Sequence, residues 1–490
     1  MKLARLAEAA GIDAGVRADE TVTGFAIDHR KVAPGTVFGA FRGAVANGED
    51  FIPAAVSAGA IAVVARPEAK VAGAVHLADP EPRRAFARLA AQFFRPVPET
   101  VVAVTGTNGK TSTVEMTRQI WRMCGQRAAS IGTLGVTTPD ESVSTGLTTP
   151  DIVTFLSNMT GLAREGVTHV AYEASSHGLS QFRNEGLPVA AGAFTNLSRD
   201  HLDYHADMED YFAAKMRLFS EVVSEGGSAV IWADDPWSAQ AIQAAKARAL
   251  RLFTVGEAGD AIRLLSRNPG HLGQELEIEY QGARHKVLLP LIGAYQAANA
   301  LVAAGLVLST GSDAAAVFDA LGRLQPVRGR LERAAIAASG APIYVDYAHT
   351  PDALGAAIEA LRPHLTGRLI TVFGAGGDRD RGKRPEMGRV AAAHSNLVIV
   401  TDDNPRGEDP AAIRAEVLAG APDAIEIGDR RDAIRRAIAE AGADDIVLIA
   451  GKGHEQGQII GAGEAARILP FDDVTVAREC AADLSGAGKR

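Results

Sequence analysis

The chain has 490 residues, of which 47% are hydrophobic and 22% charged, and its formal net charge at pH 7 is -9. This composition is ordinary for a globular protein, and the length indicates about three domains at roughly 150 residues each. The acidic balance argues against general nucleic-acid binding, which needs a strongly basic surface. A local basic pocket for an anionic small molecule remains compatible with it.

The cellular setting is predicted from cysteine usage and the N-terminus. Cys124 and Cys480 lie far apart in the sequence and show neither a disulfide framework nor metal-ligand spacing. The opening residues MKLARLAEAAGIDAG lack the apolar core of a signal peptide, and no stretch approaches the ~18 apolar residues of a membrane span. We therefore expect a cytoplasmic protein without membrane insertion. We also expect a monomer that acts on small molecules and has no nucleic-acid partner.

Short apolar runs alternate along the chain with polar or glycine-rich turns and helix-like stretches, a pattern typical of α/β proteins. The runs are VVAV (101–104), HVAY (169–172), GAFT (192–195), IYV (343–345), LITVF (369–373), LVIV (397–400) and IVLIA (446–450). Such runs predict parallel β-sheets covered by helices. Because ligands of open α/β sheets bind beyond the carboxyl ends of the strands, the turns after these runs are the candidate sites.

Two breaks in this pattern predict domain boundaries. The segment RPVPET (95–100) carries two prolines directly before a predicted strand, and LQPVRGRLER (324–333) separates an alanine-rich helical segment from the next strand. We therefore predict three domains that span residues 1–98, 99–325 and 326–490.

The segment VVAVTGTNGKTST (101–113) is typical of a loop that binds phosphate. Gly106 and Gly109 permit a tight turn whose backbone N–H groups face an anion, Lys110 can reach outer phosphates, and the Thr111 hydroxyl can ligate magnesium. The first glycine comes later than in the common Gly-x4-Gly-Lys-Ser/Thr pattern. An ordinary strand–turn–helix junction is the alternative, but it does not require a lysine before two hydroxyl residues.

The loop TGTNGKTST resembles the ATP loop of the Mur ligases and of their relative folylpolyglutamate synthase, enzymes that phosphorylate a carboxylate with ATP and let an amine displace the phosphate. The resemblance covers nearly the whole chain. It implies an α/β fold with a small N-terminal UDP-binding domain, a central P-loop domain around a parallel sheet and a Rossmann-like C-terminal domain. It assigns ATP contacts to Gly106, Thr107, Asn108, Gly109, Lys110, Thr111 and Ser112.

Three residues beyond the loop are candidates for the magnesium and phosphoryl-transfer site. Glu173 in YEASSHGL ends a predicted strand, His201 lies in TNLSRDHLDYH, and Lys215 lies in the helical stretch YFAAKMRLF. From the residues alone, the first two could be surface caps and Lys215 a solvated helix residue. The resemblance implies that Glu173 and His201 bind Mg²⁺ and that Lys215 is carbamylated, because a carbamate supports a second metal ion that an ammonium would repel. With Lys110 they form the implied catalytic set, and Thr111 joins them as a metal ligand.

The resemblance also implies ATP contacts late in the chain. Asn299 in LIGAYQAANAL matches an adenine-side asparagine, while Gln296 stands where many relatives carry asparagine. Arg330 in GRLER and Asp346 in VDYAHTPDAL match positions that close the third domain over ATP. The alternative interpretation is a helix-surface residue for Asn299 and a linker charge for Arg330.

Two segments, LTTPD and SSHGLSQFR, resemble those that hold UDP-N-acetylmuramoyl-dipeptide. The matching residues are Thr148, Thr149, Ser175, Gln181 and Arg183. Hydroxyl groups and an arginine suit a sugar that carries phosphate and carboxylate groups, although ordinary loop polarity would also explain each residue.

The segment IDHRKVAPGTVFGAFRG resembles the uridine-binding Asp-Ser-Arg stretch of the family. His29 replaces the serine of that stretch. The resemblance therefore places uridine in the first domain, with His29 as a candidate contact whose chemistry differs from that of the relatives.

The turn TDDNPRGEDP follows the run LVIV, at a position where ligands bind. Asp-Asn-Pro is common in turns, but Asp403, Asn404, Pro405 and Arg406 match the signature of Mur ligases that add meso-diaminopimelate. This amino acid differs from lysine by a second carboxylate, which an arginine can clamp with two parallel hydrogen bonds. A lysine substrate would leave the guanidinium unpaired, so Arg406 both attracts one substrate and disfavours the other.

The rest of the amino-acid site is implied by two glycine-rich segments. FGAGGDRDRGKRP supplies Arg379, and AGKGHEQGQ supplies Gly451 and Glu455, whose carboxylate would accept from the distal ammonium of the substrate. The basic run that contains Arg379 could otherwise be a solvated turn.

Together these features predict a ligase that uses ATP and Mg²⁺ to add meso-diaminopimelate to UDP-N-acetylmuramoyl-L-alanyl-D-glutamate in peptidoglycan synthesis. A Mur ligase that adds lysine or D-Ala-D-Ala is the nearest alternative, and Arg406 discriminates between them. A P-loop kinase or NTPase of another class leaves the first domain and the late turns unexplained. A nucleotide-sugar-binding module without activity conflicts with the complete set of lysine, threonine and candidate metal residues.

Overall fold

The computed structural model describes residues 1–13, 19–43, 46–138, 140–143, 148–199, 204–270, 272–461 and 463–487. The chain divides into two compact units. The first comprises Met1–Arg263 and Ala300–Ala320, and the second comprises Leu264–Asn299 and Leu321–Arg490.

The first unit begins with a small parallel sheet. Its strands, in spatial order, are β1 (Gly24–Ala26), β2 (Thr36–Gly39), β3 (Ala60–Ala65) and β4 (Val75–Ala78). The helices around it are α1 (Leu3–Ala10), α2 (Ile52–Ser57) and α3 (Pro82–Phe93). Val37 and Val64 pack in the cluster with α1 and α3, whereas Phe38 and Val63 pack with α2. Because both faces are covered, the strand residues are apolar on both sides.

The central sheet of the first unit follows. Its strands in chain order are β5 (Thr100–Thr105), β6 (Ala128–Gly132), β7 (Gly135–Thr137), β8 (Ser142–Val143), β9 (His169–Glu173), β10 (Val189–Phe194), β11 (Val223–Trp232), β12 (Arg251–Gly256) and β13 (Ile262–Gly270). The spatial order is β13-β12-β11-β10-β5-β9-β6-β7-β8, parallel from β13 to β6 and antiparallel from there on. The phosphate-loop strand β5 is therefore a central strand, flanked by β9 and β10.

Helices and one π-helical turn accompany this sheet. They are α4 (Lys110–Met123), α5 (Ile152–Arg164), α6 (Ser176–Ser180), α7 (Met208–Arg217), the π-helical turn Leu218–Val222, α8 (Ser238–Ala247), α9 (Ala294–Ser309) and α10 (Ala314–Leu321). Met116 and Ile120 of α4, the helix that follows the phosphate loop, are buried.

The second unit contains the rest of β13, paired with the antiparallel hairpin β14 (Gly273–Tyr280) and β15 (Ala283–Leu289). Its main sheet has the spatial order β16 (Glu332–Ile336), β17 (Pro342–Asp346), β21 (Ile446–Ala450), β18 (Leu369–Phe373), β19 (Leu397–Val400) and β20 (Ile425–Glu426). Only the pairing of β16 with β17 is antiparallel among the described strands of this sheet. A short hairpin joins β22 (Gly457–Ile460) and β23 (Arg467–Pro470).

Helices cover both faces of the main sheet of the second unit. They are α11 (Pro351–Leu361), α12 (Lys383–His394), α13 (Pro410–Leu418), α14 (Arg430–Glu440) and α15 (Asp473–Ala487). Phe373 and Leu448 pack in the cluster with α11 and α12, and their neighbours Val372 and Ile449 pack with α14 and α15. Because β17, β21, β18 and β19 are neighbours and run parallel, their carboxyl ends lie along one edge of the sheet.

The seven apolar runs of the sequence form strands, apart from Thr195 at the end of GAFT, which follows β10, and this confirms the predicted parallel α/β fold. The predicted domain boundaries fall in the connections after α3 and after α10. Their positions at residues 98 and 325 stay predictions.

Candidate active site

The phosphate loop joins the carboxyl end of β5 to the first turn of α4. Gly106 and Gly109 have φ angles of 147° and 84°, a region that disfavours residues with a side chain. A Cβ atom on Gly106 would also overlap the Thr195 hydroxyl. The loop therefore brings its backbone close to the N-terminus of α4, where N–H groups and the helix dipole favour an anion.

The chain segment after β10 holds the phosphate loop in place. Thr195 Oγ1 donates to the Asn108 carbonyl over 2.7 Å, and Asn196 Oδ1 accepts from Asn108 N over 2.9 Å. The Asn196 carbonyl accepts from Thr107 N over 2.9 Å, and Ser198 N donates to Thr107 Oγ1 over 3.0 Å. These hydrogen bonds fix the loop from outside, so its anion cradle is preorganised.

Two lysines converge on one carbonyl of this loop. Lys110 Nζ donates to the carbonyls of Gly106 and Thr107 over 3.0 and 2.8 Å, and Lys215 Nζ donates to the Gly106 carbonyl over 2.7 Å. Lys215 is only 1% exposed and lies 4.3 Å from the centroid of the Tyr211 ring. Lys215 thus lies in a helix, as predicted, and is buried beside the phosphate loop. The alternative interpretation, that Lys215 is a solvated helix residue, is wrong.

Glu173 ends β9, the strand next to the phosphate-loop strand. Its side chain is 2% exposed, with Oε1 accepting from Thr133 N over 2.7 Å and Oε2 accepting from the Thr133 hydroxyl over 3.3 Å. Gly132 leaves the space for this carboxylate, because a Cβ there would overlap Oε1. Ala174 N donates to the Val104 carbonyl over 2.8 Å, which keeps Glu173 at the same sheet edge as the loop.

The residues predicted to hold the muramoyl substrate form a cluster around Glu173. Thr148 Oγ1 lies 3.0 Å from the Thr133 hydroxyl. Thr149 Oγ1 donates to the Glu173 carbonyl over 2.9 Å and lies 3.0 Å from Ser175 Oγ. Three separate stretches of the sequence are therefore linked by hydroxyl groups at one place.

Arg183 and Gln181 complete the same cluster. Arg183 Nη1 donates to the Thr149 carbonyl over 2.8 Å, and its Nη2 donates to Gln181 Oε1 over 2.7 Å. Gln181 Nε2 in turn donates to the Tyr204 hydroxyl over 3.2 Å. Burial lowers the pKa of Arg183, although the nearby Asp151 and Tyr204 oppose the shift. The structure thus brings all five predicted residues together.

We expect Thr149→Val to weaken binding of the muramoyl substrate. The valine removes the hydroxyl that links Glu173 and Ser175 and leaves polar groups of a buried site unpaired, a loss of about 1–3 kcal/mol. The expected result is a roughly 10-fold rise in KM for that substrate, measured in a steady-state phosphate-release assay. Thr149→Ser keeps the hydroxyl and is the matched control. An unchanged KM in the valine variant would contradict the assigned contact.

The predicted metal ligands are only partly visible. Thr111 is buried in the first turn of α4, and Glu173 and Lys215 lie as described above. His201 lies outside the described residues. Within the described ranges, no group of three or more His, Cys, Asp or Glu side chains is arranged to hold a metal ion.

His29 lies in a short 3-10 helix of the first unit, His29–Lys31. Its ring stacks on Phe51 with centroids 4.5 Å apart and an interplanar angle of 4°. Asp28 precedes it and accepts three hydrogen bonds from the Arg30 side chain, and this contact lowers the pKa of the Asp28 carboxyl. His29 therefore offers a flat aromatic surface instead of the hydroxyl that a serine would provide.

The predicted adenine and closure residues form a connected set in the second unit. Asn299 Nδ2 donates to Gln296 Oε1 over 3.4 Å, and Gln296 Nε2 donates to the Arg330 carbonyl over 2.8 Å. Asp346 accepts from the backbone N–H groups of Leu331 and Ala348 over 2.7 and 2.9 Å. Burial raises the pKa of Asp346, and Arg330 and these N–H groups oppose that rise. Asn299 and Asp346 are both buried, so Asn299 is not a helix-surface residue.

The predicted amino-acid residues lie in the turns after three adjacent strands, β21, β18 and β19. Asn404 Nδ2 donates to Glu455 Oε2 over 2.9 Å. Lys452 is completely buried, and its Nζ donates to Asn404 Oδ1 over 2.9 Å and lies 3.6 Å from Asp403 and 3.5 Å from Glu455. Gly451 has a φ of 118°, and a Cβ there would lie 2.6 Å from Asp403 Oδ2. Lys452 therefore offsets part of the negative charge of these two carboxylates and orients the asparagine.

Arg406 is held by backbone contacts on both sides. Its φ angle is 49°, Arg406 N donates to the Ile459 carbonyl over 3.0 Å, and its carbonyl accepts from Gly461 N over 2.7 Å. Its Nη1 donates to the Gly377 carbonyl over 2.8 Å. No carboxylate of the described residues lies within 4.0 Å of its guanidinium. The remaining donors can thus serve a ligand carboxylate.

The other two predicted residues of this site differ in exposure. Pro405 is buried between Asn404 and Arg406, and a Cβ on Gly377 would overlap its carbonyl. Arg379 is exposed. Its side chain makes no hydrogen bond or ion pair with the described part of the chain, so it can reach a ligand without breaking a contact.

A group of rings beside this site was missed in the sequence. Tyr347 lies 4.6 Å from His349 and 4.9 Å from His454, measured between ring centroids, and the Arg330 guanidinium lies 4.8 Å from the Tyr347 ring. Burial, together with the positive charges of Arg330 and Arg328, lowers the pKa of His454 to about 4. His454 is therefore neutral near pH 7. Only the recurrence of histidine in the turns DYAHTP and GKGHE could have pointed to this group.

Among the described residues, no helix combines the length and apolar character that a membrane crossing demands.

Three family models match successive parts of the chain. They describe the Mur ligase family catalytic domain (residues 21–94), the Mur ligase middle domain (104–307) and the Mur ligase glutamate ligase domain (329–453). The described phosphate loop, Glu173 and Lys215 lie within the second match, and Arg330, Asp346 and Arg406 lie within the third.

Curated relatives and a solved structure agree with these matches. The chain is 62% identical to the UDP-N-acetylmuramoyl-L-alanyl-D-glutamate–2,6-diaminopimelate ligase of Zymomonas mobilis, over 94% of this chain and 95% of that protein. It is 54% identical to the ligase of the same name from Bradyrhizobium diazoefficiens, over 95% of each. A solved structure of a ligase with this name has a TM-score of 0.75 and 33% identity, over 100% of this chain and 99% of that one.

Proposed function

Since this chain belongs to the Mur ligase family, we propose that it adds meso-diaminopimelate to UDP-N-acetylmuramoyl-L-alanyl-D-glutamate with hydrolysis of ATP to ADP and phosphate. The observation that carries this choice is the setting of Arg406. Its backbone is fixed on both sides, its guanidinium has no carboxylate partner among the described residues, and it follows Asn404 in the turn after β19. The names of the two curated relatives support the same reaction.

The first step activates the substrate carboxylate. An oxygen of the D-glutamate side-chain carboxylate attacks the γ-phosphorus of ATP, the bond from that phosphorus to the bridging oxygen breaks, and ADP leaves. Lys110 and the N–H groups from Gly106 to Ser112 hold the phosphates, and Lys110 offsets the negative charge that builds up on the transferred group. Thr149, Ser175 and Arg183 position the substrate whose carboxylate attacks.

Magnesium fits the residues at the phosphate loop. A threonine hydroxyl and a buried carboxylate are the oxygen ligands that this hard cation prefers, and Thr111 and Glu173 supply them. We assign His201 and carbamylated Lys215 to the same metal site. When bound, Mg²⁺ neutralises phosphate oxygens and aligns them for transfer.

The second step forms the amide. The amine of diaminopimelate attacks the carbonyl carbon of the acyl phosphate, phosphate leaves, and the amine loses a proton. Arg406 and Arg379 clamp the carboxylate at the far end of the amino acid, while Glu455 accepts from its distal ammonium. Lys452 keeps Glu455, Asp403 and Asn404 in place, so the acceptor geometry is set before the substrate arrives.

A lysine-adding activity would use the same phosphate loop but not the same clamp. L-Lysine lacks the distal carboxylate, so it would leave the Arg406 guanidinium without its partner. We further propose that the protein acts in the cytoplasm as a monomer, with ATP contacts from Asn299, Arg330 and Asp346 and uridine contacts from the region of His29. Domain boundaries near residues 98 and 325 belong to the same proposal.

The function is tested by phosphate release from ATP and Mg²⁺ with UDP-N-acetylmuramoyl-L-alanyl-D-glutamate. We expect release with meso-diaminopimelate and at least about 100-fold lower kcat/KM with L-lysine, which corresponds to the loss of one charged contact. Product mass must rise by one diaminopimelate residue. Phosphate release that does not depend on an amino acid would overturn the ligase assignment, and equal use of lysine would overturn the specificity.

A further inference from the structure

A polar cavity of about 390 Å³ lies in the first unit, away from the phosphate loop. Arg88, Arg95 and Arg248 line it together with Glu185, Glu221 and residues 186–188 and 222–224. Residues 188 and 223 stand at the starts of β10 and β11. The phosphate loop follows the carboxyl end of β5, which is parallel to β10, so the cavity and the loop occupy opposite edges of the sheet.

Two other arginines already neutralise the carboxylates of this cavity. Arg84 lies 3.0 Å from Glu185 and 2.8 Å from Glu221. Arg217 lies 2.9 Å from Glu221 and 3.8 Å from Glu185. The Arg217 pair lowers the pKa of Glu221 although burial opposes it, so this carboxylate is ionised near neutral pH. These two pairs are electrically balanced by themselves.

The positive charges of the three lining arginines are therefore not balanced by the carboxylates of the cavity. Arg88 lies 3.7 Å from Glu185, which Arg84 already balances. Arg95 Nε donates to the Ala91 carbonyl over 3.0 Å, and Arg248 Nη1 donates to the Ser220 carbonyl over 2.7 Å. Within the described ranges no carboxylate lies within 4.0 Å of Arg95 or Arg248. Three positive charges thus surround one cavity in a chain whose net charge is -9.

We propose that this cavity binds a small molecule with adjacent phosphate groups, such as free pyrophosphate or the diphosphate of a nucleotide. The planar guanidinium groups of the three arginines can pair with separate phosphate oxygens, and each paired arginine gains a partner of opposite charge. The volume lies within the usual range of ligand pockets, about 300–1,000 Å³. A single acetate-sized anion would leave most of the cavity and two of the three charges unmatched.

The cavity is connected to the candidate active site through Arg217. This residue ends α7, two positions after Lys215, and its guanidinium donates to the Leu179 carbonyl in α6. Ser175 and Gln181 flank that helix. Glu221, which pairs with Arg217, lies in the π-helical turn that contributes to the cavity wall, and such turns are frequent at functional sites. An occupant is therefore held by a segment that also positions substrate and metal residues.

The test compares pyrophosphate and ADP as probes of the full chain. Hydrogen–deuterium exchange locates the bound probe, and isothermal titration calorimetry gives its affinity. We expect pyrophosphate to slow exchange in residues 184–189 and 220–225, and we expect Arg95→Gln with Arg248→Gln to abolish this protection and weaken that binding event at least 10-fold. A matched variant, Arg122→Gln with Arg164→Gln, removes two exposed arginines elsewhere in the first unit and should keep both.

The outcomes separate the possibilities. Protection confined to residues 105–112, or equal protection in the Arg95/Arg248 variant, would overturn the proposal. If ADP protects residues 184–189 and 220–225 as pyrophosphate does, the ligand includes nucleotides, whereas protection by pyrophosphate alone identifies the free anion. Because the cavity variant leaves every candidate residue of the ligase site in place, its phosphate-release activity without pyrophosphate tests folding independently.

Discussion

Replacement of Lys215 by alanine is expected to lower phosphate release about 10³-fold, the scale of losing one preorganised charged group at a phosphoryl-transfer site. Lys215 Nζ lies 2.7 Å from the Gly106 carbonyl, inside the protein and against the phosphate loop. A carbamate on this nitrogen would place a negative charge beside the phosphate loop. Two metal ions bound there would be stabilised by that charge, whereas an ammonium would repel them. The rate with all substrates, at saturating Mg²⁺, is the measurement.

Added short-chain acids should restore part of the activity of the alanine variant. The shortened side chain leaves space beside Tyr211 and Gly106, and a small carboxylate such as acetate can occupy it and supply the missing negative charge. Substitution to arginine is the matched control, because it keeps a cation that can donate to the Gly106 carbonyl but cannot form a carbamate. We expect Lys215→Arg to be inactive and insensitive to acetate.

Two results would contradict the carbamate. An arginine variant with near-normal activity would mean that Lys215 acts as a hydrogen-bonding ammonium. An alanine variant with normal activity would mean that the residue has no part in the reaction. Mass spectrometry of the native chain in bicarbonate at alkaline pH, with an expected gain of one CO₂ on Lys215, provides an independent readout.

The fold was predictable because each strand can be recognised from its own short stretch of sequence. Runs such as VVAV and IVLIA are apolar on both faces, since helices cover both sides of each sheet, and this produces a continuous signal instead of an alternating one. The phosphate loop was predictable for the same reason. Its glycines, lysine and threonine act through one short turn, so their spacing alone carries the chemistry.

Contacts between distant turns were not predictable in the same way. Thr195 and Asn196 hold the phosphate loop from about 90 residues further along the chain. The surrounding sequence predicts only His201 as a site residue. Lys452 was overlooked although it is buried among Asp403, Asn404 and Glu455. A lysine between two glycines is common in exposed turns. Only the register of β21 beside β18, next to β19, brings that turn against the asparagine.

Lys215 shows where pattern and packing lead to different conclusions. Its helix, MEDYFAAKMR, has acidic and basic residues that would suit a solvated surface. Tyr211 lies one turn before the lysine, however, and its ring lies against the ammonium while its hydroxyl lies 3.3 Å from Thr107 Oγ1. Tyr211 therefore determines that the side of the helix with Lys215 is buried. From its spacing in the sequence, this tyrosine would be taken only for an ordinary core residue.

Arg406→Ala is expected to lower kcat/KM for meso-diaminopimelate about 100- to 1,000-fold and to leave that for L-lysine unchanged or slightly higher. The loss corresponds to about 3–4 kcal/mol, the range for removing one partner of a desolvated charge pair. Since the substrate L-lysine has no distal carboxylate, removal of the Arg406 guanidinium takes away no contact with it. The expected result is thus a collapse of discrimination with little effect on the KM for ATP or for the muramoyl substrate.

Arg406→Lys separates charge from geometry. Both residues must adopt the same φ of 49°, so the backbone strain is matched, and both side chains are cations. Lysine cannot form two parallel hydrogen bonds to a carboxylate, nor can it reproduce the planar contact of Nη1 with the Gly377 carbonyl. We expect an intermediate loss for the lysine variant, because a point charge attracts the carboxylate without aligning it. If the alanine and wild-type proteins had the same KM for diaminopimelate, the distal carboxylate would have to bind elsewhere, and Arg379 would be the first residue to test.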